Sequence, residues 1–156
     1  MADPLSIAAS IGGLISLSAT ILGELRNIST SYIDAPTSIK SVLAEVDGMK
    51  LIFCQMQLLI NKIRNQPDAQ KLAMGSVNDL TKLLKECNGV YSVLLGCMGK
   101  IELTAKTNQN IQLKKRKNKL DKIKWALWKE AEIMAVVDDL QRHKASLGLM
   151  LQIIRW

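Results

Sequence analysis

Residues 4–23 read PLSIAASIGGLISLSATILG, and none of these twenty side chains carries a charge. As an α-helix they extend over about 30 Å, close to the thickness of the hydrocarbon core of a bilayer. One helix face carries large aliphatic side chains (Ile7, Ile11, Leu14, Ile15, Ile21, Leu22 and Leu25), and the other carries small ones (Ser6, Ala9, Ser10, Gly13, Ser16 and Thr20). The segment can therefore bury one face against protein or cross a membrane.

Burial against protein and membrane insertion are similar in estimated transfer free energy. The eight Leu and Ile residues of the stretch favour insertion by about 2–5 kcal/mol in total, and its Ser, Thr and Gly residues oppose this. A signal peptide is not expected, because Asp3 lies where Lys or Arg is needed. Burial in a helical core contributes up to about 1.5–3 kcal/mol for each large side chain. We therefore predict a first core helix in the resting protein, with membrane insertion as the alternative.

The composition predicts one α-helical domain. The chain has 156 residues, of which 48% are hydrophobic, and only three prolines and few aromatic side chains. Such a chain can build a sizeable core, and its many Leu, Ile, Lys and Ala residues favour helix over sheet. Cys54, Cys87 and Cys97 form an odd set without a CxxC pair. We interpret them as buried free thiols in a reducing compartment, which is typical of the cytoplasm.

Apolar spacing predicts two further helices in the middle of the chain. Asp34 and Pro36 are suited to start the second helix, which runs to about Asn61. The stripe of this second helix comprises Ile39, Val42, Leu43, Val46, Met49, Phe53, Met56 and Ile60. After a break at residues 65–68, the stripe of a long third helix comprises Leu72, Ala73, Val77, Leu80, Leu84, Cys87, Tyr91, Leu94, Met98 and Ile101. Gly89, Gly96 and Gly99 leave open whether this third helix is continuous.

The last third of the chain predicts a connector and two helices. Residues 104–112 look like the connector, and a short basic helix with Leu120, Ile123 and Leu127 inward follows. The stripe of the last helix, from about Lys129, comprises Ile133, Val136, Val137, Leu140, Lys144, Leu147, Leu151 and Ile154. The fold class is thus all-α, a single-domain bundle of about five helices over residues 1–156. No stop signal precedes Trp156, so we expect a piece of a longer multidomain protein.

The net charge of +7 lies entirely in residues 100–156. Its centre is a basic segment that comprises Lys114, Lys115, Arg116, Lys117, Lys119, Lys122 and Lys124. Three interpretations stay open: a solvated helix face, contact with an anionic membrane surface, or binding to nucleic acid. Trp125 and Trp128 follow the segment, and tryptophans beside lysines favour a membrane surface over DNA. Nucleic acid is the less favoured partner, since no recognition-helix pattern accompanies the segment.

The chain carries little that predicts catalysis. His143 is the only histidine and lies at the boundary of the last apolar stripe. Gly12 and Gly13 form a lone pair inside a helix and do not form a phosphate-binding loop. Asp138 and Asp139 are one carboxylate pair, which supplies too few ligands for a cation site. We therefore expect no enzyme activity, no cofactor and no metal site.

Three stretches carry a family resemblance: MADPLSIAASIGGLISL (residues 1–17), DAPTSIKSVLAEV (34–46) and KWALWKEAEIMAVVDDLQRHKASLGLMLQ (124–152). They resemble the N-terminal HeLo-like domain of fungal STAND proteins, the NACHT-type, NLR-like receptors. The same domain type is named after the N-terminal region of an azaphilone-cluster protein. The resemblance covers nearly the whole chain, and its opening stretch is the most specific part.

The resemblance implies a non-enzymatic effector or signalling module that is cytoplasmic at rest. In the HeLo class, the N-terminal helix is thought to leave the bundle on activation and insert into membrane, which kills the cell. By position, the residues that would face lipid are Leu5, Ile7, Ile11, Leu14, Ile15, Ile21 and Leu22. We expect homo-oligomers on activation, driven by a downstream NACHT-type region, and contact of the basic segment with an anionic membrane surface. Asp3 and Glu24 bracket the inserting stretch.

A protein–protein adaptor is the alternative function. In that case the bundle pairs with another helical domain or with itself, and the first helix never leaves. The small-residue face of the first helix would then be a packing surface for neighbouring helices.

Overall fold

The computed structural model describes the backbone of residues 4–31, 37–65, 74–108 and 114–155, and side chains within 5–29, 37–65, 77–98 and 131–154. These residues form four helices: α1 (Pro4–Ser31), α2 (Thr37–Arg64), α3 (Met74–Asn108) and α4 (Lys114–Arg155). The described part of the chain contains no strand. The predicted all-α bundle is confirmed.

The four helices form a closed bundle in which each helix packs against two others. α1 lies between α2 and α3, and α4 contacts the same two helices from the other side. α1 and α2 pack side by side across only five intervening residues, so they run antiparallel. α3 and α4 are also antiparallel, because Glu86 pairs with His143 while Cys97, further along α3, lies near Glu132, earlier in α4.

The predicted apolar stripes meet in one core. The buried members on α2, α3 and α4 are Ile39, Val42, Val46, Met49, Phe53, Met56, Ile60, Leu80, Leu84, Cys87, Tyr91, Leu94, Met98, Ile133, Val136, Val137, Leu140, Leu147 and Leu151. Four predicted members are half-buried: Leu43, Val77, Lys144 and Ile154. Leu72, Ala73, Ile101, Leu120, Ile123 and Leu127 lie outside the residues whose side chains are described. At the centre, the Phe53 and Tyr91 rings meet edge to face with centroids 6.4 Å apart, which joins the diagonal helices α2 and α3.

Two boundaries differ from the sequence prediction. The basic segment and the last helix, predicted as separate, form the single 42-residue helix α4, because residues 114–147 contain neither Gly nor Pro to end it. α3 is continuous to Asn108 and includes Gly89, Gly96 and Gly99. Residues 104–108 of the predicted connector at residues 104–112 are therefore helical, and the rest of it lies outside the described part. Glycines cost a helix only about 1 kcal/mol each, and buried neighbours on α3 offset this cost.

A charged contact joins α2 to α4. The Lys144 Nζ lies 2.7 Å from the Glu45 Oε2, and the Gln141 amide donates a hydrogen bond of 3.3 Å to the Glu45 Oε1. A Cβ added at Gly48 would lie 3.3 Å from the Lys144 Cδ. Gly48 therefore leaves space for the aliphatic stem of this lysine, whose ammonium reaches a mostly buried carboxylate.

Replacement of Phe53 by alanine tests the central core. Phe53 is fully buried, so we expect Phe53→Ala to lower the free energy of unfolding by about 3–5 kcal/mol. Leu58 lies on the same helix but is 72% exposed, and Leu58→Ala should change that free energy by less than about 0.5 kcal/mol. Denaturant unfolding with an unchanged slope measures both values. Equal effects of the two substitutions would contradict this assignment of the core.

Candidate functional site

α1 combines a length and hydropathy that suit a membrane span with incomplete burial. Its segment Leu5–Asn27 has a mean hydropathy of 1.9, and only 33% of its apolar window is buried in the bundle. Among the described residues, no other helix meets both criteria of length and hydropathy. Core helices of soluble proteins also meet these criteria. The position of α1 in the bundle is therefore more informative than its length and hydropathy.

The aliphatic face of α1 lies against the core. Of the candidate lipid-facing residues, the buried ones are Ile7, Ile11, Leu14, Ile21 and Leu22. Ile15 is half-buried at the edge of this face, whereas Leu5 is 61% exposed. The predicted first core helix is therefore confirmed for the resting protein. Contact of this face with lipid would require α1 to separate from its neighbours.

Within the part of the chain that the structure describes, no other helix covers the small-residue face of α1. Ser10, Gly13 and Ser16 are exposed and line an open groove of about 750 Å³ between α1 and α3. Leu14, Leu17 and Leu84 also line this groove, as do Thr81, Lys85 and Asn88 of α3. The α1–α3 interface is consequently looser than the α1–α2 interface, where a Cβ at Gly12 would lie 3.4 Å from the Gln57 Nε2.

A buried hydrogen bond crosses from α1 to α3 beside this groove. The Ser18 hydroxyl donates to the Leu14 carbonyl oxygen at 2.7 Å, and the Ser18 Oγ and Tyr91 hydroxyl oxygen are also 2.7 Å apart. Because serine has one hydroxyl proton and that proton goes to Leu14, the Tyr91 hydroxyl is the donor to Ser18. Burial raises the pKa of Tyr91 to about 12, so the phenol keeps its proton at neutral pH.

Sequence reasoning missed this pair. From the sequence, Ser18 is only a polar residue that opposes membrane insertion, and Tyr91 is only a member of the apolar stripe of the third helix. The available signal is the position of Ser18, which lies among the aliphatic residues that face the core, where a hydroxyl needs a partner. The identity of its partner depends on how α1 and α3 align in three dimensions.

The single histidine joins α3 to α4. His143 is buried, its Nδ1 lies 2.6 Å from the Asp139 carbonyl oxygen, and its Nε2 lies 3.5 Å from the Glu86 carboxylate. Since a carbonyl oxygen only accepts, the Nδ1 donates to it. These residues and Arg142, which pairs with the Asp139 carboxylate, line a shallow groove of about 680 Å³. Within the described residues, no group of three His, Cys, Asp or Glu side chains could hold a metal ion.

None of the three cysteines forms a disulfide. Cys87 and Cys97 are buried as predicted, whereas Cys54 is only half-buried. Burial, and secondarily the neighbouring Glu86 carboxylate, raises the pKa of Cys87 to about 12. The Cys87 thiol therefore stays protonated at neutral pH, and a protonated thiol is a poor nucleophile.

The basic segment lies in the N-terminal part of α4. Its predicted anionic-lipid contacts (Lys114, Lys115, Arg116, Lys117, Lys119, Lys122 and Lys124) all belong to the described backbone of that helix. Their side chains, and those of Trp125 and Trp128, lie outside the described part. The structure thus places the segment on a helix and leaves its contacts as a prediction.

No family model, curated protein or solved structure matches the chain. The resemblance to the HeLo-like domain therefore stays a prediction from the three sequence stretches.

Alkaline pH should destabilise the bundle. Tyr91 and Cys87 have pKa values of about 12 in the folded protein, above ordinary values of 10.0 and 9.0. The folded state therefore holds these protons more tightly than the unfolded chain does. Their contribution to stability should be complete below pH 9.0 and should decrease as the pH rises towards about 12.

Unfolding by urea across this alkaline range measures the effect. We expect Tyr91→Phe and Cys87→Ala each to make the free energy of unfolding less dependent on pH than it is in the unaltered chain. Cys54→Ala, at a half-buried thiol on α2, serves as the matched control. The same alkaline slope in all four proteins would show that the two buried groups do not cause it.

Proposed function

We propose that this chain is a non-enzymatic effector domain whose helix α1 leaves the bundle on activation and inserts into a membrane. The proposal follows the resemblance to the HeLo-like domains of fungal NLR-like proteins and includes a role in regulated cell death. The observation that carries it is the state of α1, which is long and apolar enough to span a bilayer although only 33% of its apolar window is buried.

The energy balance of α1 supports a conditional release. At rest, side chains such as Ile11 and Ile21 are fully buried, so separation exposes them to water unless lipid replaces the core. Lipid replaces the apolar environment, but insertion also removes the exposed hydroxyls of α1 from water. For one copy the two states are therefore close in free energy. Oligomerisation through a downstream NACHT-type region would add copies and favour the membrane state by avidity.

The exposed face of α1 has a role in this mechanism. Ser6 and Ser10, and Ser16 and Thr20, are small residues spaced four apart on exposed positions. In a bilayer, such spacing allows helices to approach closely and pack against one another. The basic segment of α4 would supply the initial attraction to an anionic surface, at about 1 kcal/mol per Lys or Arg near the headgroups. The protein would accordingly be cytoplasmic at rest and membrane-associated on activation.

A charge at Ser16 separates the resting bundle from the membrane state. Ser16 is exposed and lies at the middle of the segment Leu5–Asn27. Ser16→Asp should change the stability of the bundle by less than about 0.5 kcal/mol, but a carboxylate at the bilayer centre costs about 2.5–3.5 kcal/mol. We expect dye leakage from anionic liposomes to need about a hundredfold more protein for this variant.

Ser92→Asp is the matched control, because Ser92 is an exposed serine in the middle of α3. Ser92→Asp should cause dye leakage from anionic liposomes at the same concentration as the unaltered chain does. Neither protein should cause leakage from neutral liposomes. The chain should be tested both free and fused to an oligomerising tag. Undiminished leakage by Ser16→Asp, or no leakage by the oligomerised chain, would contradict the insertion of α1.

One observation favours the adaptor alternative. Leu51 and Leu58 are 62% and 72% exposed and lie seven residues apart, and hence on one outer face of α2. Two large aliphatic side chains on a solvent-exposed face are typical of a helix–helix docking surface. Under this alternative α1 stays in the bundle and α2 pairs with α2 of a second copy.

Combined substitution of Leu51→Glu and Leu58→Glu tests this pairing. If the chain is an adaptor, the double variant should remain monomeric at concentrations where the unaltered chain sediments as a dimer, because the like charges would repel. Leakage of liposomes should be absent for both proteins. Asn78→Glu and Ser92→Glu together are the control, because both positions are exposed on α3 and the change of charge is the same. If the unaltered chain is monomeric at these concentrations, the adaptor function as proposed is wrong.

A further inference from the structure

Among the described residues of α1, Ser18 is the one polar side chain that is fully buried. Its hydroxyl accepts the hydrogen bond from Tyr91 across the α1–α3 interface and donates to the Leu14 carbonyl within α1. Both residues are 0% exposed. The bond therefore lies in the core, at a point where an apolar pair would fill the same space.

We propose that the Ser18–Tyr91 hydrogen bond is a latch that sets how readily α1 separates from α3. The inference rests on the proposed function, in which α1 leaves the bundle, and assigns a site of regulation to that step. The latch is a contact within the resting protein, so its effect on opening can be measured without a membrane.

The chemistry of both partners makes the latch reversible. When α1 separates, the Ser18 hydroxyl keeps its hydrogen bond to the Leu14 carbonyl, because both belong to the same helix. That bond also satisfies the hydroxyl in a bilayer, where water is absent. The Tyr91 hydroxyl exchanges Ser18 for water. Opening therefore leaves no polar group without a partner, whereas in the closed state the buried Tyr91 hydroxyl requires Ser18 as its acceptor.

The geometry of α1 places the latch on the side that opens more easily. Exposed small residues and the groove of about 750 Å³ separate much of α1 from α3. On the other side, α1 packs more extensively on α2 than on α3, and the Gln57 side chain lies beside Gly12. Separation from α3 consequently breaks fewer apolar contacts than separation from α2, and the buried hydrogen bond is a larger share of what holds that interface.

Hydrogen exchange of the backbone amides of α1, in the intact chain without lipid, measures the opening. Ser18→Ala leaves the Tyr91 hydroxyl buried without its acceptor, so we expect amides at residues 11–22 to exchange about tenfold faster. Tyr91→Phe removes the bond but leaves Ser18 bonded to Leu14, and its effect should be smaller. The double variant lacks the bond but leaves no buried hydroxyl unpaired, so its amides should exchange faster than those of the unaltered chain but more slowly than the two single effects combined predict.

Val137→Ala is the matched control, because Val137 is buried on α4 and its truncation weakens the bundle away from the latch. It should accelerate exchange in α1 and α4 by similar factors, whereas Ser18→Ala should accelerate exchange in α1 beyond that in α4. Equal acceleration of both helices by Ser18→Ala would overturn the latch. Additive effects of the two single substitutions, or exchange by the double variant at the original rate, would also overturn it.

Leakage from anionic liposomes separates the latch from the proposed function. If the latch controls release, Ser18→Ala should cause leakage at about tenfold lower protein concentration than the unaltered chain. Faster exchange in α1 with no leakage by any variant would support the latch and contradict membrane insertion. Leakage that requires α1 but does not change in Ser18→Ala would support insertion and overturn the latch.

Discussion

The structure depends on the burial of one face of α1, a helix that is uncharged over its first twenty residues. α1 carries no charge from Pro4 to Gly23, and residues such as Ile11 and Ile21 are fully withdrawn from water. Burial of these side chains is the main favourable contribution to holding α1 in place. The stripes of the other helices meet this face in one continuous core. The same apolar side chains that stabilise the bundle are those that would favour a bilayer, so stability and the proposed function draw on one property.

Polar contacts between helices, buried at Ser18 and Tyr91 and partly exposed elsewhere, supply what the apolar core does not, which is a defined alignment of the helices. Ser18 and Tyr91 align α1 with α3, Glu45 and Lys144 align α2 with α4, and His143 contacts α3 from α4. Apolar side chains tolerate a shift of one helix along another far better than a buried hydrogen bond does. These contacts therefore favour one arrangement among several that the stripes alone would allow.

The proposed mechanism needs a helix that is stable in two environments. Complete burial of α1 would make release too costly, and a more apolar outer face would make the resting protein insoluble. The observed helix has an aliphatic face in the core and small, mostly polar residues at exposed positions next to a groove. Under the proposed mechanism, this division lets the exposed face of α1 contact water in the bundle and other copies of α1 in a bilayer.

The sequence by itself determined the helical class, the position of the stripes and the inward face of α1, because spacing of three and four residues is a local property of the chain. It did not determine that the basic segment continues into the last helix, since the only local signal was an absence of helix breakers between residues 114 and 147. Nor did it determine the groove beside α1 or the pairing of Ser18 with Tyr91, 73 positions apart. These features depend on which helices become neighbours and at what alignment, and only the packing of all four stripes into one core decides that.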